Sequence, residues 1–143
     1  MRTLDMATTR TEPADAPDDV ARALLRAVTT RDRAATASLL APNVWMRALL
    51  PRALAETHTD SEALDVLDDW LGDAAHSRVL ETAHHTVEGR EHIRYRMAVL
   101  PEWEPTTWHV LEQSGYVRAI GGLITRIDLV CTGYWPVEAP SPD

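Results

Sequence analysis

The chain has 143 residues, 45% of them hydrophobic and 25% charged, with a net charge of −8 and one cysteine, Cys131. This is the composition of one folded domain; the acidic balance argues against a nucleic-acid backbone as the partner, and a lone cysteine excludes an internal disulfide and a thiolate-rich metal site. All 14 basic residues are arginine, which excludes Schiff-base and phosphate-loop lysine chemistry.

Residues 1–17, rich in Thr, Asp, Pro and Ala, lack hydrophobic periodicity and read as a tail, with no apolar core of a signal peptide. Residues 137–143 (VEAPSPD) read as a second tail, leaving 18–136 as one domain. No apolar run approaches the length of about 18 residues that a membrane span needs, so a cytoplasmic protein that engages neither membrane nor nucleic acid is expected.

Asp18 or Asp19 is placed to cap a first helix whose apolar stripe is Val20, Ala23, Leu24, Ala27 and Val28. Asp32 caps a second, Arg33 to Leu40, which Pro42 and Asn43 break. Val44 to Leu50 reads as extended. A third helix starts at Ser61, turns Leu64, Leu67, Trp70 and Leu71 to one side, and stops at Gly72. From Val79 the period falls from 3.6 to 2, predicting strands over 79–87, 92–100, 107–120 and 123–134. Glu88-Gly89, the segment Pro101–Pro105 and Gly121-Gly122 mark the turns between them. Helices first and an antiparallel meander after them is an α+β pattern, with helices on one face of a curved sheet.

The segments 24–51 (LLRAVTTRDRAATASLLAPNVWMRALLP), 92–99 (HIRYRMAV) and 110–136 (VLEQSGYVRAIGGLITRIDLVCTGYWP) resemble the SnoaL-like proteins of the nuclear transport factor 2-like fold. The resemblance implies a cone: a strongly curved, mostly antiparallel sheet whose concave face is covered by N-terminal helices around a pocket. It also implies a homodimer and cofactor-free chemistry on a hydrophobic small molecule. Two departures stand out. Where related isomerases carry a carboxylate base this chain has Ala48. Where the cyclases and epoxide hydrolases carry a late aspartate it has Leu129, with Asp128 one residue early and so on the opposite face.

In the register the resemblance implies, Leu123, Thr125, Ile127, Leu129 and Cys131 face the pocket, and Arg126 and Asp128 face outward. The preceding strand then turns Trp108, Val110, Glu112, Ser114 and Tyr116 inward. A carboxyl on such a wall is desolvated and suits general acid or base work, which makes Glu112 the candidate catalyst, with Tyr116 orienting a carbonyl. A bulge near Ser114-Gly115 reverses the face and brings in His109, Leu111 and Gln113, with His109 as the catalyst. Trp45 and Trp108 are candidate wall residues, and Arg47 a candidate for an acidic substrate group or for holding Glu112. His84 and His85 are adjacent, so a regular strand points them to opposite faces. No metal site is expected from them or from His92. The expected function is acid–base catalysis, most of all a cyclase of the polyketide or epoxide-opening kind. A non-catalytic binding or dimerisation module and an epoxide hydrolase are the alternatives.

Overall fold

The computed structural model describes residues 16–69 and 76–139. Helix α1 spans Pro17–Thr29 and α2 Arg33–Leu39. Strands β1 (Leu40–Leu49) and β2 (Leu54–Thr57) follow, then α3 (Asp60–Asp69). The meander is β3 (His76–Val87), β4 (Arg90–Leu100), β5 (His109–Ile120) and β6 (Leu123–Cys131), and β7 (Trp135–Pro136) adds two residues. One sheet runs β2-β1-β6-β5-β4-β3, with β7 on β5. Among the described residues only the β1–β6 pairing is parallel, so the sheet is mostly antiparallel and the α+β expectation holds.

Local chemistry explains most element boundaries. Pro17 sits in the first turn of α1, where its missing N–H costs nothing, and Ala16 is the N-cap without a side-chain bond; the expected aspartate cap is not used. Val20, Leu24, Ala27 and Val28 are buried as expected, but Ala21 rather than Ala23 joins them. Asp32 Oδ1 accepts from Ala35 N–H at 3.0 Å and caps α2 as predicted. Pro42 and Asn43 do not break the chain: they lie inside β1, where the pairing to β6 shifts between Leu40 and Trp45. A proline is tolerated at such an irregularity. Strand β2 went unforeseen. Trp70, Leu71 and Gly72, and residues 1–15 of the tail expected over 1–17, lie outside the described residues; the last two residues of that tail, Ala16 and Pro17, are the N-cap and first residue of α1.

The hairpins at Glu88-Gly89 (φ 51° and 78°) and Gly121-Gly122 (61° and 83°) have the positive φ values that their sequences predict. Gly133, at φ 84°, ends the β6 segment before the expected Tyr134. The core lies between the helices and one face of the sheet. It joins Val20, Leu24 and Leu67 to Met46, Ile93, Tyr95, Met97, Leu111 and Ile127, all buried.

Candidate functional site

The decisive geometric feature is a β-bulge. Beyond the Gly121-Gly122 turn, Ile120 pairs with Leu123 and Ala119 with Ile124, but Arg118 then pairs with Arg126, leaving Thr125 as the extra residue. One extra residue reverses the side of everything that follows relative to the partner strand. Val117 therefore opposes Ile127, and Gly115 opposes Leu129. Ile127 and Leu129 face the core as expected and Cys131 is half-buried, whereas Leu123 and Thr125 leave the inward row and Ile124 takes their place. On β5 the inward row is His109, Leu111, Gln113, Gly115 and Val117. The pairing is regular at Ser114-Gly115, where the alternative reading set a bulge; the bulge at Thr125 has the same effect on the facing of β5.

Glu112 and Tyr116 thus stand on the outer face, and their expected place in the pocket is corrected. Glu112 Oε1 accepts from Arg96 Nε at 3.1 Å and lies 3.6 Å from Arg94 Nη1. Those arginines also reach Glu81, whose carboxyl the Arg94 guanidinium holds below its usual range. Tyr116 meets the edge of His92, ring centres 5.0 Å apart. Trp45 is also outside, with Arg126 stacked 4.1 Å above its ring and its Nε1–H donating to Glu56. Arg47 is exposed on the same face, level with Glu56 and Asp128 in the ladders and far from Glu112. Trp108 is half-buried ahead of β5, where its carbonyl accepts from Val137 N–H at 2.9 Å. Arg126 and Asp128 pair on the outer face at 3.0 Å, as their alternation predicts.

The inward row converges on the open end of the cone. The segment after β4 folds into two tight turns, Glu104 N–H to Pro101 O at 3.1 Å and Thr107 N–H to Glu104 O at 3.2 Å. These turns set Glu104 and the Thr107 carbonyl around His109. Its side chain is 3% exposed, with Nδ1 2.9 Å from Thr107 O and Nε2 3.3 Å from Glu104 Oε1. The Thr107 carbonyl can only accept, so Nδ1–H donates to it, and Nε2 and the Glu104 carboxyl are placed to share one proton. Trp103 packs edge-on against His109 at 4.8 Å, and Tyr134 against Trp103 at 5.9 Å. Burial, reinforced by the Cys131 thiol and Asp69 and opposed by Arg31, pushes the Tyr134 phenol up to about 12. It is therefore a hydrogen-bonding group, not an acid, at neutral pH.

In front of this cluster lies a concavity of about 700 Å³ lined by Leu50, Pro51, Trp103, Cys131, Tyr134 and Trp135, among others. Deeper in the same row is Gln113, fully buried, level with Cys131 on one side and Tyr95 on the other. The Tyr95 hydroxyl bonds the Gln113 side-chain oxygen, and the amide nitrogen has no partner among the described residues. An unpartnered buried donor is costly, so this end of the cone holds an unmet demand for an acceptor oxygen.

A second polar group sits at the far end of β4, about 26 Å along the strand from His109 at 3.3 Å per residue. Glu91 is buried there, bonded by His84 Nε2 at 2.7 Å and Thr86 Oγ1 at 2.9 Å, while Arg22 Nε on α1 reaches His84 Nδ1 at 3.4 Å. His85 points to the other face beside His92, as alternation predicts. This chain of bonds fastens α1 to the sheet. The sequence reading missed Gln113's pairing with Tyr95, along with Glu104, Trp103, Tyr134 and Glu91. Gln113 was the most accessible of them, because it shares a row with His109.

No family model matches the sequence, and no curated relative does. Solved structures do match. A nuclear transport factor 2-like protein from Burkholderia thailandensis superposes with a TM-score of 0.66 at 15% identity, over 80% of this chain and 89% of that one. A candidate polyketide cyclase from Xanthomonas campestris gives 0.61 at 16%, over 78% and 86%. An LEH-like epoxide hydrolase from M. tuberculosis gives 0.58 at 12%, over 80% and 81%. The chain has the nuclear transport factor 2-like fold. At these identities the likeness concerns the fold, which hosts many activities.

Proposed function

We propose that the open end of the cone binds a hydrophobic small molecule bearing a carbonyl or ether oxygen, and that His109 moves a proton on it without a cofactor, in a ring closure of the cyclase type. The observation that carries this reading is the enclosed His109 ring, held between the Glu104 carboxylate and the Thr107 carbonyl directly behind the concavity. Glu104 is half-exposed and exchanges protons with water, so it can reload His109 after each transfer. The Gln113 amide nitrogen and the Tyr134 hydroxyl supply donors to a developing oxyanion. For substrate to reach the imidazole, Trp103, 62% exposed on its turn, must swing aside and the substrate must take the place of Glu104 at Nε2. Leu50, Pro51 and Trp135 give the shaped apolar wall that ring closure needs.

A non-catalytic binding module is the second reading. It is favoured by one observation: the inner positions that carry carboxylates in the resembled enzymes hold Ala48 and Leu129, both buried. An epoxide hydrolase fares worse, because Asp128 faces away from the core and is paired with Arg126. We take the protein as a cytoplasmic homodimer, a state that light scattering at micromolar concentration tests. The functional test is a panel of hydrophobic ketones and epoxides, followed by Trp fluorescence for binding and by mass spectrometry for products. Cyclised or isomerised product that His109→Asn fails to make supports the enzyme. Binding without turnover supports the module, and incorporation of oxygen-18 from water supports the hydrolase.

A further inference from the structure

The bulge at Thr125 has a second consequence, on the outer face. It puts Arg118 directly opposite Arg126 on neighbouring strands. The β4–β5 register, in which Glu91 opposes Val117, brings Arg90 level with Arg118 one step further on. On the far side, Trp45 of β1 is level with Arg126. Three guanidiniums therefore stand in one row across three adjacent strands of a chain whose net charge is −8. Like charges directly opposite one another in an antiparallel pair are destabilising.

The row is only partly compensated. Asp128 pairs with Arg126 at 3.0 Å, Glu56 adds to its field, and Trp45 takes its planar face. Among the described residues no carboxylate pairs with the guanidinium of Arg118 or of Arg90. Both line a concavity of about 320 Å³, whose remaining wall includes Tyr116 and Ile120. Ile120 is 65% exposed and Tyr116 39%. Two uncompensated planar forks beside an apolar wall match the two halves of an amphiphilic anion.

We propose that this outer notch is a binding site for a small organic anion, a phosphate monoester or carboxylate, whose head lies between Arg118 and Arg90 and whose apolar body covers Ile120 and Tyr116. The site is separate from the open end of the cone and does not rest on the function proposed for it. The bound anion supplies the negative charge that the arginine row lacks, so the fold carries a local electrostatic cost that binding relieves.

The test uses the full chain with hexyl phosphate, inorganic phosphate and hexanol as probes, followed by thermal melting and by Trp45 fluorescence. Hexyl phosphate is expected to bind in the millimolar range or better, more tightly than inorganic phosphate, with hexanol inert. Arg118→Gln and Arg90→Gln should each weaken hexyl phosphate about tenfold, the loss expected for one charge-assisted contact. Without ligand, Arg118→Gln should melt at the same or a higher temperature, because a like-charge neighbour is gone. His109→Asn should bind hexyl phosphate as the parent chain does. Unchanged affinity in Arg118→Gln would overturn the proposal, as would a lower melting temperature without ligand, which would make Arg118 a structural residue. It would equally be overturned if affinity fell with rising protein concentration, since a second copy would then be filling the notch.

Discussion

Replacing Gly115 by alanine isolates the close approach of the two central strands. Gly115 lies in the inward row of β5 opposite Leu129, and a Cβ built there would overlap the Asp128 carbonyl oxygen and come within 2.8 Å of Leu129 Cα. The obstacles are backbone atoms and cannot rotate away, so β5 and β6 must separate by about 1 Å or the ladder must slip. Either change opens the packing of Val117 against Ile127 and moves Gln113 from Cys131. Overpacking of this kind costs about 3 kcal/mol or more. For a domain of roughly 120 ordered residues the unfolding entropy is about 0.25 kcal/mol per degree, so the melting temperature should fall by about 12 °C. Gly89→Ala is the control. Gly89 sits at φ 78° with nothing near its absent Cβ, so alanine there meets only backbone strain of about 1 kcal/mol. Calorimetry or circular dichroism melts of the two variants separate steric overlap from φ strain. If Gly115→Ala melts as high as Gly89→Ala, the tight β5–β6 approach is refuted, and with it the register that places His109 and Gln113 inside.

Three further outcomes follow from the same geometry. The Tyr134 phenol should titrate near 12, so ultraviolet difference spectra should lose one late-ionising tyrosine in Tyr134→Phe. Because the folded protein holds that proton more tightly, the associated stability is complete below pH 10 and should fall as pH climbs toward about 12. Glu112→Gln should leave turnover intact and lower stability by no more than about 1 kcal/mol, as expected for a partly exposed ion pair on the outer face; loss of activity there would restore the corrected placement. Cys131 lines the concavity, so any ligand bound in it should slow modification of the thiol by a maleimide, and unchanged labelling in the presence of ligand would place that ligand elsewhere.

Elements set by local chemistry could be read from the sequence. The Asp32 cap, the Glu88-Gly89 and Gly121-Gly122 turns and the period change after residue 79 each depend on a few adjacent residues, and each was found where expected. The inner wall of β6 from Ile127 to Leu129 was readable because one row there is wholly apolar. The face of β5 was not. Its two rows, His109-Leu111-Gln113 and Val110-Glu112-Ser114, carry similar mixtures of polar and apolar residues, so alternation alone does not rank them. The facing of β5 follows from β6 only through the hairpin register, and the extra residue Thr125 inverts that register. Nothing in the residues Ile124-Thr125-Arg126 announces a bulge. The energetic preference comes from partners distant in sequence: Glu112 satisfies Arg94 and Arg96 only from the outer face, and His109 meets Glu104 only from the inner one. Glu104, Trp103 and Tyr134 lie in turns and a strand exit, where no periodicity reports on facing.

The central claim is that His109 transfers a proton to or from a bound hydrophobic substrate. The most direct measurement is incubation of the protein in deuterium oxide with a ketone that binds in the concavity, followed by mass spectrometry of the ketone. Deuterium should enter next to the carbonyl in the parent chain and in Glu112→Gln, and exchange should fall at least a hundredfold in His109→Asn, the range expected for loss of a general base, while ketone binding is retained. Equal exchange in His109→Asn and the parent chain would contradict the account.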